Sequence, residues 1–379
     1  MPKKETAQSV LPHTEAKLQF YTQYLARYLA ILLRSSHVEQ INIYDMFCGE
    51  GTYSDGNTGS AVRAVEAIWK AQSPNANSKS INLHLNDLDK AKTDKLRIVL
   101  DSRESVEKNF RISYSNTEAA ELLGKLPSGF KSQNSKVRNL VFIDPYGYKD
   151  ISRSSLEALL ALGRTEVILF LPIEQIYRFF SKTTTESVDN SYKPLKRFVE
   201  QFEIDITQIH SEKSLVAALA TVLAFNNELY STSYSIKNHT GHYYGMFFIT
   251  SNLLGLEKII EVKWGLDTQE GSGFSGTDQQ DFFLETDIQD HLKNQLTVYL
   301  SDGEKTNIEL YEFVLKSGFM AKHANAFFKG WQAEGRLRKF DLKKGKAAAK
   351  NTFKLTYDEY KTGIPSIRYS LNDKAGDNE

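Results

Sequence analysis

The clearest indication of the fold class is the stretch Ile41-Asn-Ile-Tyr-Asp-Met-Phe-Cys-Gly-Glu-Gly-Thr-Tyr53, followed by Gly59-Ser-Ala-Val-Arg-Ala-Val-Glu-Ala-Ile-Trp69. Its first five residues are rich in β-branched and aromatic types, which predict a strand. The glycines that follow predict a tight loop, and the apolar spacing of residues 59–69 predicts a helix. A strand, a glycine-rich loop and a helix in this order begin a parallel βαβ unit.

Strands and helices continue to alternate along the chain. Residues 14–33 predict an amphipathic helix before the first strand, and residues 177–234 predict a mainly helical insertion that could cap the substrate side. The predicted fold class is therefore α/β, with a doubly wound, mostly parallel, Rossmann-like sheet. Further strands of this sheet are predicted at residues 81–85, 110–114, 139–143, 166–170 and 245–250.

A second module is predicted after residue 268. Residues 269–277 are rich in Gly and Ser, as linkers are. Beyond them, three helices are predicted at 288–300, 307–317 and 322–334, and two strands at 337–342 and 352–356. Helices followed by a β-hairpin is the order of a winged helix. We expect an α/β domain at 1–268, a winged-helix-like module at 269–371 and a disordered tail at 372–379.

Composition is that of a globular protein. Of the 379 residues 41% are hydrophobic, and 47 Lys and Arg balance 47 Asp and Glu, so no net charge attracts the whole chain to nucleic acid. The apolar stretches are too short to span a bilayer, and no signal peptide is visible, so we expect a cytoplasmic protein without membrane contact. Cys48 is the only cysteine. This excludes internal disulfides and multi-cysteine zinc clusters, and the histidine pattern predicts no metal.

Asp45 discriminates between the cofactors that bind a glycine-rich loop. Its carboxylate would repel a pyrophosphate but would pair with the α-ammonium group of S-adenosylmethionine (SAM). Ser54 occupies the place of the third glycine of a dinucleotide fingerprint, and no Walker sequence occurs. We therefore predict SAM, bound by Asp45, Phe47, Gly49 and Gly51. The alternative is a tight turn in which Asp45 caps a nearby group.

The ends of the second and third predicted strands supply further cofactor candidates. Asp87 could accept hydrogen bonds from both ribose hydroxyls of an adenosine, or could only solvate a turn. Asp89 instead suits the N-cap of the next helix. Ser115 and Asn116 follow the third strand, where a side chain could bond the adenine ring, and we predict Asn116 as a cofactor residue.

The fourth strand ends in Asp144-Pro145-Tyr146, with Tyr148 close behind. An acceptor and an aromatic ring at this edge of the sheet would lie opposite the cofactor. Amino-group methyltransferases use such a string to hold an exocyclic amine and to stack on the base. We predict Asp144, Pro145 and Tyr146 as catalytic residues and Tyr148 as a substrate contact. A simple Pro-Tyr-Gly turn is the alternative.

Together these motifs resemble the three-Cys-motif partner (TcmP) family of bacterial methyltransferases, over roughly the first 265 residues. The resemblance implies a SAM fold with Asp45, Gly49, Gly51, Asp87 and Asp144 at its site. This chain has Glu50 and Ala61 where the family usually has proline. The Asp-Pro-Tyr-Gly string is also similar to that of tRNA N2-guanine dimethyltransferases. The matching pieces are Tyr44-Asp-Met-Phe-Cys-Gly-Glu-Gly-Thr-Tyr-Ser-Asp-Gly56, Gly59-Ser60, Phe142-Ile-Asp-Pro-Tyr-Gly147, Tyr244-Gly-Met-Phe-Phe-Ile-Thr-Ser-Asn252 and Lys263-Trp264.

Positive charge is concentrated in residues 322–354, where ten Lys and Arg residues accompany only Glu334 and Asp341, in a chain that is neutral as a whole. A winged helix with such an excess would lie along phosphates. The alternative is a solvated basic hairpin over a small core. The predicted nucleic-acid contacts are Arg336, Arg338, Lys339, Lys343, Lys344 and Lys346.

Three functions compete. The first is a SAM-dependent methyltransferase that modifies an exocyclic amine of a nucleobase in DNA or RNA. The second is a catalytically silent SAM-fold subunit that binds nucleic acid or a partner protein. The third is a methyltransferase of a protein or small molecule.

Overall fold

The computed structural model describes residues 10–72, 79–102, 109–183, 192–238, 240–267, 271, 273–275 and 285–372. Within these ranges the chain divides into two compact units. The first contains the residues up to Leu266 together with 273–275, and the second contains residues 285–372. No helix in the described ranges is both long and apolar enough to cross a membrane.

The first unit is an eight-stranded sheet covered by helices on both faces. Its strands are β1 (Gln40–Asp45), β2 (Ser80–Asn86), β3 (Phe110–Ser115), β4 (Val137–Ile143), β5 (Thr165–Pro172), β6 (Tyr230–Lys237), β7 (Tyr243–Thr250) and β8 (Gly273–Ser275). Its helices are α1 (Pro12–Leu32), α2 (Ser60–Ala71), α3 (Lys90–Asp101), α4 (Ala119–Ser132), α5 (Arg153–Leu160), α6 (Ile173–Thr183), α7 (Lys193–Gln201), α8 (Glu212–Val222) and α9 (Leu253–Leu266).

The strand order is β3-β2-β1-β4-β5-β7-β6-β8. Strands β1 to β5 pair in parallel, whereas β7 is antiparallel to both β5 and β6. The predicted doubly wound, mostly parallel sheet is therefore confirmed. The order reverses between β1 and β4, and a crevice at such a switch point is where ligands bind in open α/β sheets.

Strand β4 is a nearly continuous apolar run because both of its faces are buried. Strands buried on both faces carry apolar side chains at successive positions. Phe142 points to one face, where Tyr21 of α1 stacks on it with ring centroids 4.3 Å apart. Val141 and Ile143 point to the other face and belong to the apolar cluster of α4 to α8.

The predicted helical insertion at 177–234 is only partly correct. Helices α6, α7 and α8 are present, but residues 230–237 form β6. Serine occupies every second position from 231 to 235 of this strand, so the strand lacks the apolar content typical of a central strand. The helices pack their apolar residues into the core cluster rather than forming a separate cap. The predicted linker at 269–277 also contributes a strand, because Gly273–Ser275 pairs with β6.

The second unit contains α10 (Glu285–Ser301), β9 (Lys305–Thr306), α11 (Asn307–Lys316), α12 (Ala321–Ala333), β10 (Leu337–Asp341), β11 (Lys346–Ala347), α13 (Tyr357–Tyr360) and β12 (Ile367–Leu371). The three predicted helices and the strand at 337–342 are present. The strand predicted at 352–356 is wrong, since Asn351 and Lys354 adopt positive φ angles of 58° and 52° and β10 pairs with β12 instead. The winged-helix assignment stays a prediction, and residues 373–379 of the predicted tail lie outside the described residues.

Candidate functional site

The glycine-rich loop after β1 is held by backbone hydrogen bonds. Gly49 and Gly51 adopt φ angles of 62° and 84°, which glycine tolerates best. The Cys48 amide donates to the Asn86 carbonyl (2.9 Å) and the Gly59 amide donates to the Gly51 carbonyl (2.8 Å). A Cβ on Gly51 would lie 2.5 Å from a Leu96 methyl group, whereas one on Gly49 would meet nothing within 4 Å. Gly51 therefore permits tight packing, and Gly49 leaves the loop backbone open to a ligand.

Asp45 is fully buried at the end of β1. Its carboxyl accepts hydrogen bonds from the Ser60 hydroxyl (2.6 Å) and the Phe47 amide (3.2 Å). Burial raises the pKa of Asp45 to about 7, against the opposing effect of these hydrogen bonds. Ser60 lines the adjoining cavity and so connects Asp45 to it. The predicted contact of Asp45 with an ammonium group stays a prediction.

Two adjoining cavities lie along the carboxyl edge of the sheet. Cavity A has a volume of about 540 Å³, and cavity B about 410 Å³, both within the usual range for ligand pockets. Cavity A is lined by the glycine-rich loop, the end of β4 and one face of α1. Cavity B is lined by the loops after β2 and β3. Phe47, Lys92 and Tyr146 line both cavities and so mark their junction.

Asp87 is a buried acid of cavity B, with 5% of its surface exposed, and Asp150 is a second one at 8%. One carboxylate oxygen of Asp87 accepts from the Gly49 amide (3.1 Å) and the other from the Asp89 amide (2.9 Å). Each carboxylate oxygen can accept two hydrogen bonds, so donors from a ligand can still be bound. Asp89 caps α3 by accepting from the Ala91 amide (2.9 Å), as its N-cap interpretation predicted.

The expected adenine contact of Asn116 is not supported by its geometry. Its amide nitrogen donates to the Asp87 carbonyl (2.8 Å) and to the Thr93 hydroxyl (2.8 Å). Asn116 therefore joins the loop after β2 to α3, and it is not among the described residues that line cavity B. The next residue, Thr117, lines this cavity, and the Ser115 hydroxyl donates to Asn86 (2.8 Å).

Asp144 lines cavity A in an ion pair with Lys17, whose Nζ lies 2.5 Å from its Oδ2. The side chains are 13% exposed for Lys17 and 22% for Asp144. Burial lowers the pKa of Lys17, but the Asp144 carboxylate outweighs this effect and raises it overall. Lys17 is therefore an ammonium group that is paired with the Asp144 carboxylate.

Three aromatic rings form a column beside this ion pair. Lys17 Nζ lies 4.7 Å from the centre of the Phe170 ring. Phe170 stacks on Tyr244 with centroids 5.2 Å apart, and Tyr244 stacks on His13 at 5.4 Å. All four residues line cavity A, which therefore has an apolar wall next to a charged pair.

The string after β4 divides between cavity and core. Pro145 and Tyr146 line cavity A, and the Tyr146 ring is 69% exposed, with its hydroxyl bonded to Lys92 (3.0 Å). Tyr148 was predicted to contact the substrate, and this is wrong. It is buried in the core against Phe198, and its hydroxyl donates to the Pro172 carbonyl.

Lys17, Phe170 and Tyr244 were missed as site residues. Lys17 lies on the same face of the helix as Tyr21, Tyr24 and Tyr28, where an apolar residue is expected. A lysine at this position is the feature of the sequence that could have indicated a site residue. Phe170 and Tyr244 lie in apolar strands. The sequence does not distinguish a residue that lines a cavity from one that is packed in the core of such a strand.

The predicted basic contacts of the second unit differ in exposure. Lys339 is buried, and its Nζ donates to the carbonyls of Ala349 (3.0 Å) and Thr352 (2.8 Å), so its predicted role in binding phosphate is wrong. Burial also lowers its pKa. Arg336 is half-buried over the Trp331 ring. The exposed members of the set are Arg338, Lys343, Lys344 and Lys346.

No protein-family model and no curated protein matches the sequence. Among solved structures, the chain is similar to the O-methyltransferase TomG from Streptomyces achromogenes in complex with SAM, at 13% identity over 61% of this chain and 80% of that one, with a TM-score of 0.34. It is also similar to the O-methyltransferase from Bacillus cereus in complex with SAH, at 12% identity over 61% and 80%, with a TM-score of 0.34. Likeness at this level carries no argument about the reaction.

Proposed function

We propose that this protein is a SAM-dependent methyltransferase that acts on an exocyclic amine of a planar ring, such as a nucleobase. One observation carries the proposal. The glycine-rich loop and the Asp144-Pro145-Tyr146 string line the same cavity, at the switch point of a doubly wound sheet. A cofactor bound by the loop and an amine bound by Asp144 would therefore meet in one enclosed space.

The residues present fit the cofactor. In cavity B, Asp87 would accept the ribose hydroxyls of the adenosine part. In cavity A, the open backbone at Gly49 and the Ser60–Asp45 pair would receive the methionine part. When bound, SAM supplies a methyl group on a positively charged sulfur, which keeps the electron pair as the new N–C bond forms.

The protein's own contribution to the reaction is positioning. Asp144 would accept a hydrogen bond from the amine, orient it and receive the proton that the amine releases. Lys17 pairs with Asp144 and so fixes the position of its carboxyl group at the cavity. The exposed ring of Tyr146 offers a face for a planar substrate, and Phe170 and Tyr244 line the cavity beside it. We also propose that the exposed basic residues of the second unit bind nucleic acid that carries the substrate base.

Transfer of a labelled methyl group from SAM to nucleic acid tests this function. Asp144→Asn and Tyr146→Ala should each lower turnover by about 10²-fold or more, because positioning is lost, while SAM affinity stays unchanged. Asp94→Asn, on the exposed face of α3, is the matched control. If both site variants keep wild-type turnover, the string is only a turn. A protein that binds SAM and transfers no methyl group would be the silent subunit.

A further inference from the structure

We infer that Lys17 and Asp144 act as one donor–acceptor pair that selects ring amines with a hydrogen-bond acceptor beside them, as in adenine and cytosine. The inference rests on the proposed function, because it names the substrate edge that cavity A recognises. It assigns a specificity-determining role to Lys17, a residue of α1 that lies outside the sheet scaffold.

The geometry places one donor and one acceptor side by side. Lys17 Nζ lies 2.5 Å from Asp144 Oδ2, and both side chains line cavity A. An ammonium group has three N–H donors, of which the Asp144 bond uses one, and an ionised carboxylate only accepts. Amide side chains recognise adenine through the same combination of one donor and one acceptor. The ion pair would therefore offer a substrate one donor and one acceptor side by side, as an amide does, but both groups are charged.

The chemistry of the bases decides which amines fit. In adenine the N6 amine has the acceptors N1 and N7 on its two sides, and in cytosine the N4 amine has the acceptor N3 beside it. In guanine the N2 amine lies between the N1–H donor, which would face the Lys17 ammonium, and the acceptor N3, which the ribose on the neighbouring N9 crowds. A donor opposite a donor leaves both unpaired, which costs binding energy in a desolvated site. Adenine and cytosine should therefore be preferred over guanine.

The surrounding wall suits the same planar substrate. Lys17 lies over the Phe170 ring, and the column continues through Tyr244 to His13. These rings cover one another's faces, so the column lines the cavity as an apolar wall. The exposed ring of Tyr146 would stack on any base without distinguishing among bases, and the Lys17–Asp144 pair would select the base.

The test removes the two proposed partners of one hydrogen bond separately: the acceptor nitrogen of the base and the Lys17 ammonium group of the protein. Methyl transfer is measured on single-stranded oligonucleotides whose only amino base is adenine, cytosine or guanine, and on the free nucleosides, which distinguishes a base in a chain from a free ring. The methylated base is then replaced by its deaza analogue (1-deaza- and 7-deazaadenine, or 3-deazacytosine), in which the acceptor nitrogen is a C–H group. Wild type and Lys17→Met are compared, with Lys125→Met on the exposed face of α4 as control.

We expect methyl transfer to adenine or cytosine. The analogue that lacks the nitrogen facing Lys17 should lower kcat/KM of the wild type and of Lys125→Met by about tenfold to a hundredfold. Lys17→Met should be slower than the wild type and should not distinguish that analogue from the natural base. Thermal unfolding and SAM affinity show whether Lys17→Met is folded, and if it is not, the wild-type comparison decides alone.

Four results would overturn the inference: no analogue slows the wild type, Lys17→Met discriminates as the wild type does, only guanine is methylated, or none of these substrates is methylated although SAM binds. Absence of SAM binding would instead remove the proposed function itself, so the two failures are distinguishable.

Discussion

At the scale of single residues, Asp45 is a buried carboxyl group that is one hydrogen bond away from cavity A. Its pKa is about 7 because it is fully buried, so below pH 7 most of the free protein carries a neutral Asp45. A bound ammonium group would stabilise the carboxylate and lower this pKa. The Ser60 hydroxyl donates a hydrogen bond to the Asp45 carboxyl and also lines cavity A. Ser60 would therefore lie between Asp45 and an ammonium group bound in that cavity.

We therefore predict that SAM binding at pH 6 releases a proton and that affinity increases as the pH rises from 6 to 8. Calorimetry in two buffers with different ionisation enthalpies measures the release, because the buffer takes up the proton. Asp45→Asn should abolish the difference between buffers. Equal binding heats for the wild type in both buffers would show that Asp45 does not ionise on binding.

Contacts of single side chains were the part of the site that the sequence predicted least well. Asp87, Asp144 and Tyr146 line the cavities as expected, because residues that follow parallel strands meet at one edge of the sheet. Asn116 and Tyr148 do not, since the direction of a loop side chain depends on contacts that are distant in sequence. Tyr148, for example, is turned into the core by residues of α7.

At the scale of elements, α1 is fastened to the sheet by a buried polar contact. The Tyr24 hydroxyl donates to Glu166 of β5, which also accepts from Thr250 (3.0 Å). Burial raises the pKa of Glu166 to about 7. Tyr28 lies one turn further along the same face of α1, and within the described residues its buried hydroxyl has no hydrogen-bond partner.

These two tyrosines form a matched pair of tests. Tyr24→Phe should lower the free energy of unfolding by about 1–3 kcal/mol, because Glu166 loses a buried partner. Tyr28→Phe removes a hydroxyl that gains nothing from burial, so it should be neutral or slightly stabilising. Urea unfolding at pH 6 measures both. Equal losses in the two variants would contradict this account of how α1 is held.

Element types were predictable where the pattern was strong. The apolar runs of β1, β4 and β5 and the spacing of α1 identified them correctly. Strand β6 was missed because five of its eight residues are serine, threonine or lysine, and its buried positions depend on pairing with β7. Strand β12 was also missed. It pairs with β10, about 30 residues earlier in the chain, and local sequence patterns do not predict such a distant pairing.

At the scale of the whole molecule, the chain has no net charge, but three exposed lysines lie close together in sequence near β11. Lys343, Lys344 and Lys346 are exposed on and before β11. Each phosphate contact on duplex DNA contributes about −0.9 to the slope of log affinity against log salt. Replacing these three lysines by glutamine in the full chain should therefore make the slope shallower, by up to about 2.7 if all three bind phosphate.

The matched control replaces three exposed lysines of the first unit, Lys90, Lys125 and Lys136, which should leave the slope unchanged. Binding is measured by fluorescence anisotropy with a labelled duplex over a range of salt concentrations. An identical slope for the two triple variants would show that the basic residues near β11 are only a solvated surface.

Calorimetric titration of the full chain with SAM measures whether the two cavities bind this cofactor. We predict that SAM and its demethylated product bind and that NADH does not. Asp87→Ala should weaken SAM binding by about 1.5–3 kcal/mol, the range for hydrogen bonds to charged groups, while Asp94→Ala on α3 leaves it unchanged. Binding of NADH without SAM, or SAM binding that is equal in Asp87→Ala and the wild type, would contradict the account.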